Sequence, residues 1–161
     1  MDEIQTARAD LQQATERVLH LVSLTPDEHL FWKPSASARS IGEIVAHTAH
    51  ALKNILGQLQ GTPFPPANSS EAKPLFLEHD RQFTDRETLL EYFGTHRDNY
   101  DQYLAALTSD DLDVIATLPF GLGQAPVRFF MKAGADHTAS HIPQIEYIQT
   151  IYGDHDWHTG F

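Results

Sequence analysis

The sequence predicts an all-α protein, a four-helix bundle with a long crossover connection between its second and third helices. Three observations predict it. Apolar residues recur at helical spacing in four separate stretches, and no stretch alternates convincingly with the period of a strand. Capping-box signatures stand directly ahead of apolar periodic runs. Residues 61–83 then form a proline-rich interval between the second run and the third.

The first helix is expected from about Asp2 to Leu24, with Ile4, Ala7, Leu11, Ala14, Val18 and Val22 on one stripe. Thr25-Pro26-Asp27-Glu28 follows, a capping box with proline at the first helical position, and predicts one short extra turn. The second helix opens at the box Ser40-Ile41-Gly42-Glu43 and runs to about Gln60, where Gly61 stops it. The third opens at Thr84-Asp85-Arg86-Glu87 and runs to about Leu107. The fourth is expected from near Pro126 to Gly153, with Val127, Met131, Ile142, Ile145 and Tyr152 facing inward.

Residues 61–83, with prolines at 63, 65, 66 and 74 and a polar middle, are expected to be a connection without continuous helix. A short loop would force the flanking helices antiparallel, whereas one of this length permits them to run parallel. TLPFGLGQAP (117–126) is expected to be a similar cover segment, its two glycines allowing tight turns.

The 161 residues fit one domain, 1–161, large enough to bury a core without staples. A 41% hydrophobic and 20% charged composition suits a globule rather than a disordered chain. No apolar run approaches a membrane span, and the acidic, amphipathic start MDEIQTARADLQQA does not read as a secretory signal. The cytoplasm is therefore the expected compartment. A formal charge of −11 with no Lys/Arg cluster argues against nucleic-acid binding, which depends on basic residues displacing counterions. The absence of cysteine excludes disulfides, thiolate sites and a cysteine nucleophile. Any metal must be held by His, Asp or Glu, and there are 10 histidines.

A helix turns about 100° per residue, so each histidine can be placed against its apolar stripe. In the last helix His141 falls about 40° and His137 about 80° from Val127, on the same side, and their i, i+4 spacing stacks them on one face. In the second helix His47 lies about 120° from the stripe centre and can look into a neighbouring helix, while His50, about 180° away, is expected to face solvent. His96 lies within about 20° of its stripe centre in the third helix, as a core residue with a hydrogen-bond partner in preference to a ligand. His20, His29 and His79 are expected on the surface. His155 and His158 lie in an expected flexible tail, where Trp157 and Phe161 dock on the body. A lone inward histidine is ordinary in a bundle. Two side by side need partners for four ring nitrogens, and a divalent ion satisfies one on each ring.

WKPSASARSIGEIVAHTAH in the first half and FFMKAGADHTASHIPQIEYIQTIYG in the second resemble the DinB/YfiT-like superfamily of metal-binding four-helix bundles. The resemblance spans essentially the whole chain in helix order. In that family one histidine near the middle of helix two joins an H-x-x-x-H pair on the last helix. The resemblance therefore implies His47, His137 and His141 as a three-histidine metal site, and it implies a homodimer. The family commonly follows the last histidine with Arg-Gly-Gln, where this chain has Ile142-Pro143-Gln144. Pro143 predicts a kink or widened turn beside His141.

Three neutral imidazoles on a divalent ion leave a coordination position open, as in catalytic sites, and both zinc and nickel accept imidazole. Glu43, one turn before His47, is a candidate partner for its second nitrogen but is better placed as the capping-box glutamate. Neither an H-E-x-x-H motif nor the paired carboxylates of a di-iron bundle is present. Characterised relatives include thiol S-transferases that use low-molecular-weight thiols, so the resemblance implies a metal-dependent enzyme transferring such a thiol to a small electrophile. A metal-dependent hydrolase is the second expectation. A non-catalytic bundle binding a small ligand or a partner protein is the third.

Overall fold

A computed structural model describes residues 2–62 and 68–159 of the chain. Helix α1 (Glu3–Leu24) is capped by Asp2, which forms a reciprocal box with Gln5. A short turn, α2 (Asp27–Leu30), follows it. Helix α3 (Ile41–Leu59) starts from the expected box, Ser40 accepting from the Glu43 N–H while the Glu43 carboxylate accepts from the Ser40 N–H. Gly61 stops it in the left-handed region at φ 78°. Helix α5 (Arg86–Ala106) is capped by Asp85, one residue later than expected. The Thr25 box does not form. That hydroxyl donates instead to the Leu21 carbonyl at the end of α1.

The largest departure lies in the crossover. Among its described residues is a 12-residue helix, α4 (Ser69–Asp80), with Pro74 inside it and Asn68 capping its Glu71 N–H. Pro74 offers no N–H to Ser70, but both residues are exposed, so water can satisfy the freed carbonyl. Pro63, Pro65 and Pro66 lie outside the described residues.

The segment before the last helix also differs from expectation. Strands β1 (Ile115–Thr117) and β2 (Gln124–Pro126) pair antiparallel, Ala116 opposite Ala125, around a tight turn at Pro119–Gly121. Strands of three residues are too short to show an alternating pattern. The expected fourth helix is two pieces, α6 (Val127–Phe130) and α7 (Ala133–Ile151). At the break the Tyr100 hydroxyl donates to the Met131 carbonyl (3.1 Å) and accepts from the Gly134 N–H (3.3 Å). A Cβ on Gly134 would lie 2.7 Å from Cζ of Tyr100, so only glycine lets α7 start on that ring. Beyond this point α7 remains one helix through Pro143.

Two apolar clusters fix the helix directions. One joins Val18 and Leu21 from the end of α1, Ile41 and Ile44 from the start of α3, Leu89 and Phe93 from the start of α5, and Ile145 and Ile148 from the end of α7. The other joins Ala7 and Leu11, Leu52 and Leu56, Tyr100 and Leu104, and Met131 and Ala135. Helices α3 and α5 are therefore parallel to each other and antiparallel to α1 and α7. The four pack in the ring order α1, α7, α3, α5, and α4 covers the outer side of α3. This is the expected all-α four-helix bundle with a long crossover. No helix among the described residues is long and apolar enough to cross a membrane.

The tail departs from expectation as well. Arg17 donates to the carbonyl of His158 and pairs with Glu146 (2.6 Å), which anchors the tail without its aromatic side chain. Trp157 is 83% exposed rather than docked, and Phe161 lies outside the described residues.

Candidate metal centre

The antiparallel packing of α3 on α7 brings His47 from mid-α3 against His137 and His141 on one face of α7. A nitrogen from each ring lies within 4.8 Å of the other two. Ring centroids are 5.3 Å apart for His47 and His137, 5.0 Å for His47 and His141, and 4.6 Å for His137 and His141. Nε2 of His141 is 3.1 Å from Nε2 of His137. Nitrogens held about 2.0–2.1 Å from one ion lie about 2.8–3.4 Å apart for bond angles between a right angle and tetrahedral. The observed spacing thus suits two ligands of one ion as well as a hydrogen bond between the rings.

The remaining ring nitrogens orient the cluster. Nδ1 of His141 lies 3.0 Å from Oε1 of Gln144, so an Nδ1–H donated to that amide oxygen leaves the Nε2 lone pair free for an ion. Nδ1 of His47 faces Oδ2 of Asp80 at 3.4 Å and Nη2 of Arg39 at 3.5 Å. A proton on that nitrogen gives the carboxylate a donor and again leaves Nε2 to the cluster. Burial, reinforced by the neighbouring imidazoles and Arg39, lowers the His137 pKa to about 3. Burial also lowers that of His141, against a smaller opposing effect of the Gln144 hydrogen bond. Both rings are therefore neutral near pH 7, the form that ligates metal. Three convergent imidazoles, two with polar groups behind them, can hold a divalent ion.

Asp80, at the last position of α4, was not visible as a functional residue in the sequence because its segment was expected to lack helix. The Asn68-Ser69-Ser70-Glu71 capping signature was the available signal. Asp80 is fully buried and bound to Arg39 at 3.0 Å. Burial would raise its pKa, but the imidazoles of His47 and His50 facing it at 3.4 and 3.5 Å, together with the Arg39 guanidinium, bring it down to about 2. Glu43 has a different task. One oxygen caps α3, and the other faces Lys33 and, at 3.5 Å, Arg81.

His50 is 4% exposed, not solvent-facing. The stripe angle placed it away from the bundle core, but α4 covers that side. Its ring lies among His79, Phe83 and Tyr92, with Nδ1 3.5 Å from Oδ1 of Asp80. His96 is half-buried, edge-on to Tyr92 at 4.4 Å, and is not part of the three-histidine group. Of the three expected on the surface, His79 is exposed, whereas His20 and His29 are half-buried and His29 stacks on Tyr152 at 4.1 Å.

Fold and site together define a helical bundle with a histidine cluster suited to a metal ion. The chain belongs to the DinB superfamily, whose sequence profile it matches over residues 10–145. It is similar in fold to a conserved protein from Enterococcus faecalis known from a crystal structure. The TM-score is 0.71 at 15% identity, covering 94% of this chain and 97% of the other. No curated protein matches the chain significantly.

Proposed function

We propose that this protein is a metal-dependent enzyme in which His47, His137 and His141 hold a divalent ion, zinc or nickel, and that it transfers a low-molecular-weight thiol to a small electrophile. The observation that carries this reading is the convergence of three imidazoles from two helices, with no carboxylate in the group. The donor set fits either metal. When bound, such an ion lowers the pKa of a coordinated thiol or water toward neutrality.

The chain's own residues supply the rest. Gln144 and Asp80 fix two of the rings through Nδ1. The helix packing keeps bulk water from the buried side of His141, which is 7% exposed. In the transfer, a sulfur lone pair forms the S–C bond as the bond from carbon to the leaving group breaks. The leaving group departs with that electron pair, and the thiol proton passes to solvent.

Metal-assisted hydrolysis is the second reading. It is less favoured because Asp80, a carboxylate near the cluster, faces the outer nitrogen of His47 and is paired with Arg39, which holds it away from the work of a general base.

Elemental analysis of protein purified without a histidine tag tests the metal, and a screen of thiols against electrophiles tests the reaction. One equivalent of zinc or nickel, lost in a folded His137→Ala variant, is expected. Absence of stoichiometric metal in the parent protein would leave only a non-catalytic bundle.

A further inference from the structure

Next to the three histidines lies a cavity of about 270 Å³, bordered on one side by His47 and His137. Its other walls are apolar, with Ile55 from α3, Phe76 from α4, Phe120 from the hairpin turn and Phe130 from α6. Asn54 is the one polar side chain besides the histidines, and no Asp, Glu, Lys or Arg lines the space among the described residues. Phe76 joins cavity to cluster, standing edge-on to His47 at 5.6 Å and edge-on to Phe120 at 6.4 Å.

Phe120 has φ 58° and ψ 25°, the left-handed region, which a bulky L-residue seldom occupies. Such strain persists where the surroundings impose it, and it concentrates at ligand-binding positions. Here it holds an aromatic ring over the cavity when a glycine, present on the next residue, would have made the turn without cost.

We propose that this cavity binds an uncharged, single-ring portion of the reactant, with the reacting atom directed at the histidine cluster. The role assigned to the cavity rests on the metal-enzyme reading above, although binding of the ring itself does not. Size and polarity set the class. A cavity of about 150 Å³ accepts benzene, and drug-sized ligands need about 300 Å³ or more, so the present space fits one ring with a short arm. Away from the histidines, a charged occupant would lose its hydration with no counter-charge in the apolar walls. The ring therefore belongs to an apolar electrophile, and a polar thiol approaches from outside.

Ligand-observed NMR with toluene, benzylammonium and benzoate tests the cavity in chelator-treated protein, where no ion can capture the carboxylate. Toluene is expected to bind, with the two charged analogues about tenfold weaker or worse. Ala51→Phe, which fills the space from α3, should abolish the toluene signal and leave metal content unchanged. If that variant does not fold, Phe120→Ala on the half-buried turn should weaken toluene severalfold. A second comparison uses metal-loaded protein with benzohydroxamate and acetohydroxamate, which share a metal-binding head. The phenyl group should tighten binding by about tenfold, a gain lost in Ala51→Phe.

Toluene binding to a protein that holds no metal as purified and takes up none when zinc or nickel is supplied would keep the cavity assignment and remove the metal reading. Equal affinity of the two hydroxamates for a metal-loaded protein would do the reverse. Absence of toluene binding, or binding unaffected by both substitutions, overturns the proposal.

Discussion

Oδ2 of Asp80 lies 3.4 Å from Nδ1 of His47, which joins the crossover helix to the histidine cluster. The same oxygen accepts from Nε of Arg39 at 3.0 Å, so the carboxylate is held from one side while it faces the imidazole on the other. A carboxylate behind a ligating histidine fixes the ring's tautomer and raises its basicity. The connection between the two parallel helices thus helps build the site as well as spanning the bundle.

Replacing this carboxylate should weaken metal binding without removing a ligand. Asp80→Asn is expected to lower affinity by about 10–100-fold. Competition against a chelating dye measures it, and unchanged affinity would mean that Asp80 plays no part in orienting His47.

The same group makes stability depend on acid. Its folded pKa of about 2 is below the unfolded carboxylate value, so its contribution is fully present above about pH 4 and is lost as pH falls toward 2. The stability difference between the parent protein and Asp80→Asn should therefore shrink by about 1.5 kcal/mol from pH 4.5 to pH 2.5. Urea unfolding at the two pH values gives the difference directly.

The start of α7 depends on the fit between Gly134 and Tyr100. Gly134→Ala pushes a methyl group into a fully buried ring and should cost about 1–3 kcal/mol. Tyr100→Phe strips the hydroxyl from the Met131 carbonyl and the Gly134 N–H, at a cost of about 1–3 kcal/mol. Chemical denaturation of each variant checks both values. A stabilised Gly134→Ala protein would mean that the ring has room to move.

His50 and His96 separate burial from ligation. His50→Gln should lower stability because it disturbs a ring packed among His79, Phe83 and Tyr92, yet bound metal should stay at the parent level. His96→Ala should leave metal unchanged as well. Metal analysis of the two variants beside His47→Ala makes the comparison, in which only the last should lose the ion.

The bundle was legible because its signals are local. The Ser40 and Asp2 ends, the stripe from Ala7 to Val22 and the i, i+4 histidines all depend on the geometry of single helices. The approach of His47 to His137 and His141 followed from the family resemblance more than from its stripe angle. What stayed hidden depends on contacts between elements. His50 looked solvent-facing because a stripe angle locates one core, and α3 is covered on a second side by α4. Helix α4 was obscured by Pro74, whose lost hydrogen bond is inexpensive where water reaches the Ser70 carbonyl. The break at Met131 reflects the Tyr100 hydroxyl, contributed from a different helix. Pro143, expected to kink or widen the turn beside His141, lies inside the single helix α7.

X-ray absorption at the metal edge of untagged protein reads the ligand shell itself. About one bound ion is expected, with three imidazole nitrogens at about 2.0–2.1 Å and one fewer in His141→Ala. A protein without stoichiometric metal, or an ion whose imidazole shell is the same in His141→Ala, would contradict the three-histidine site.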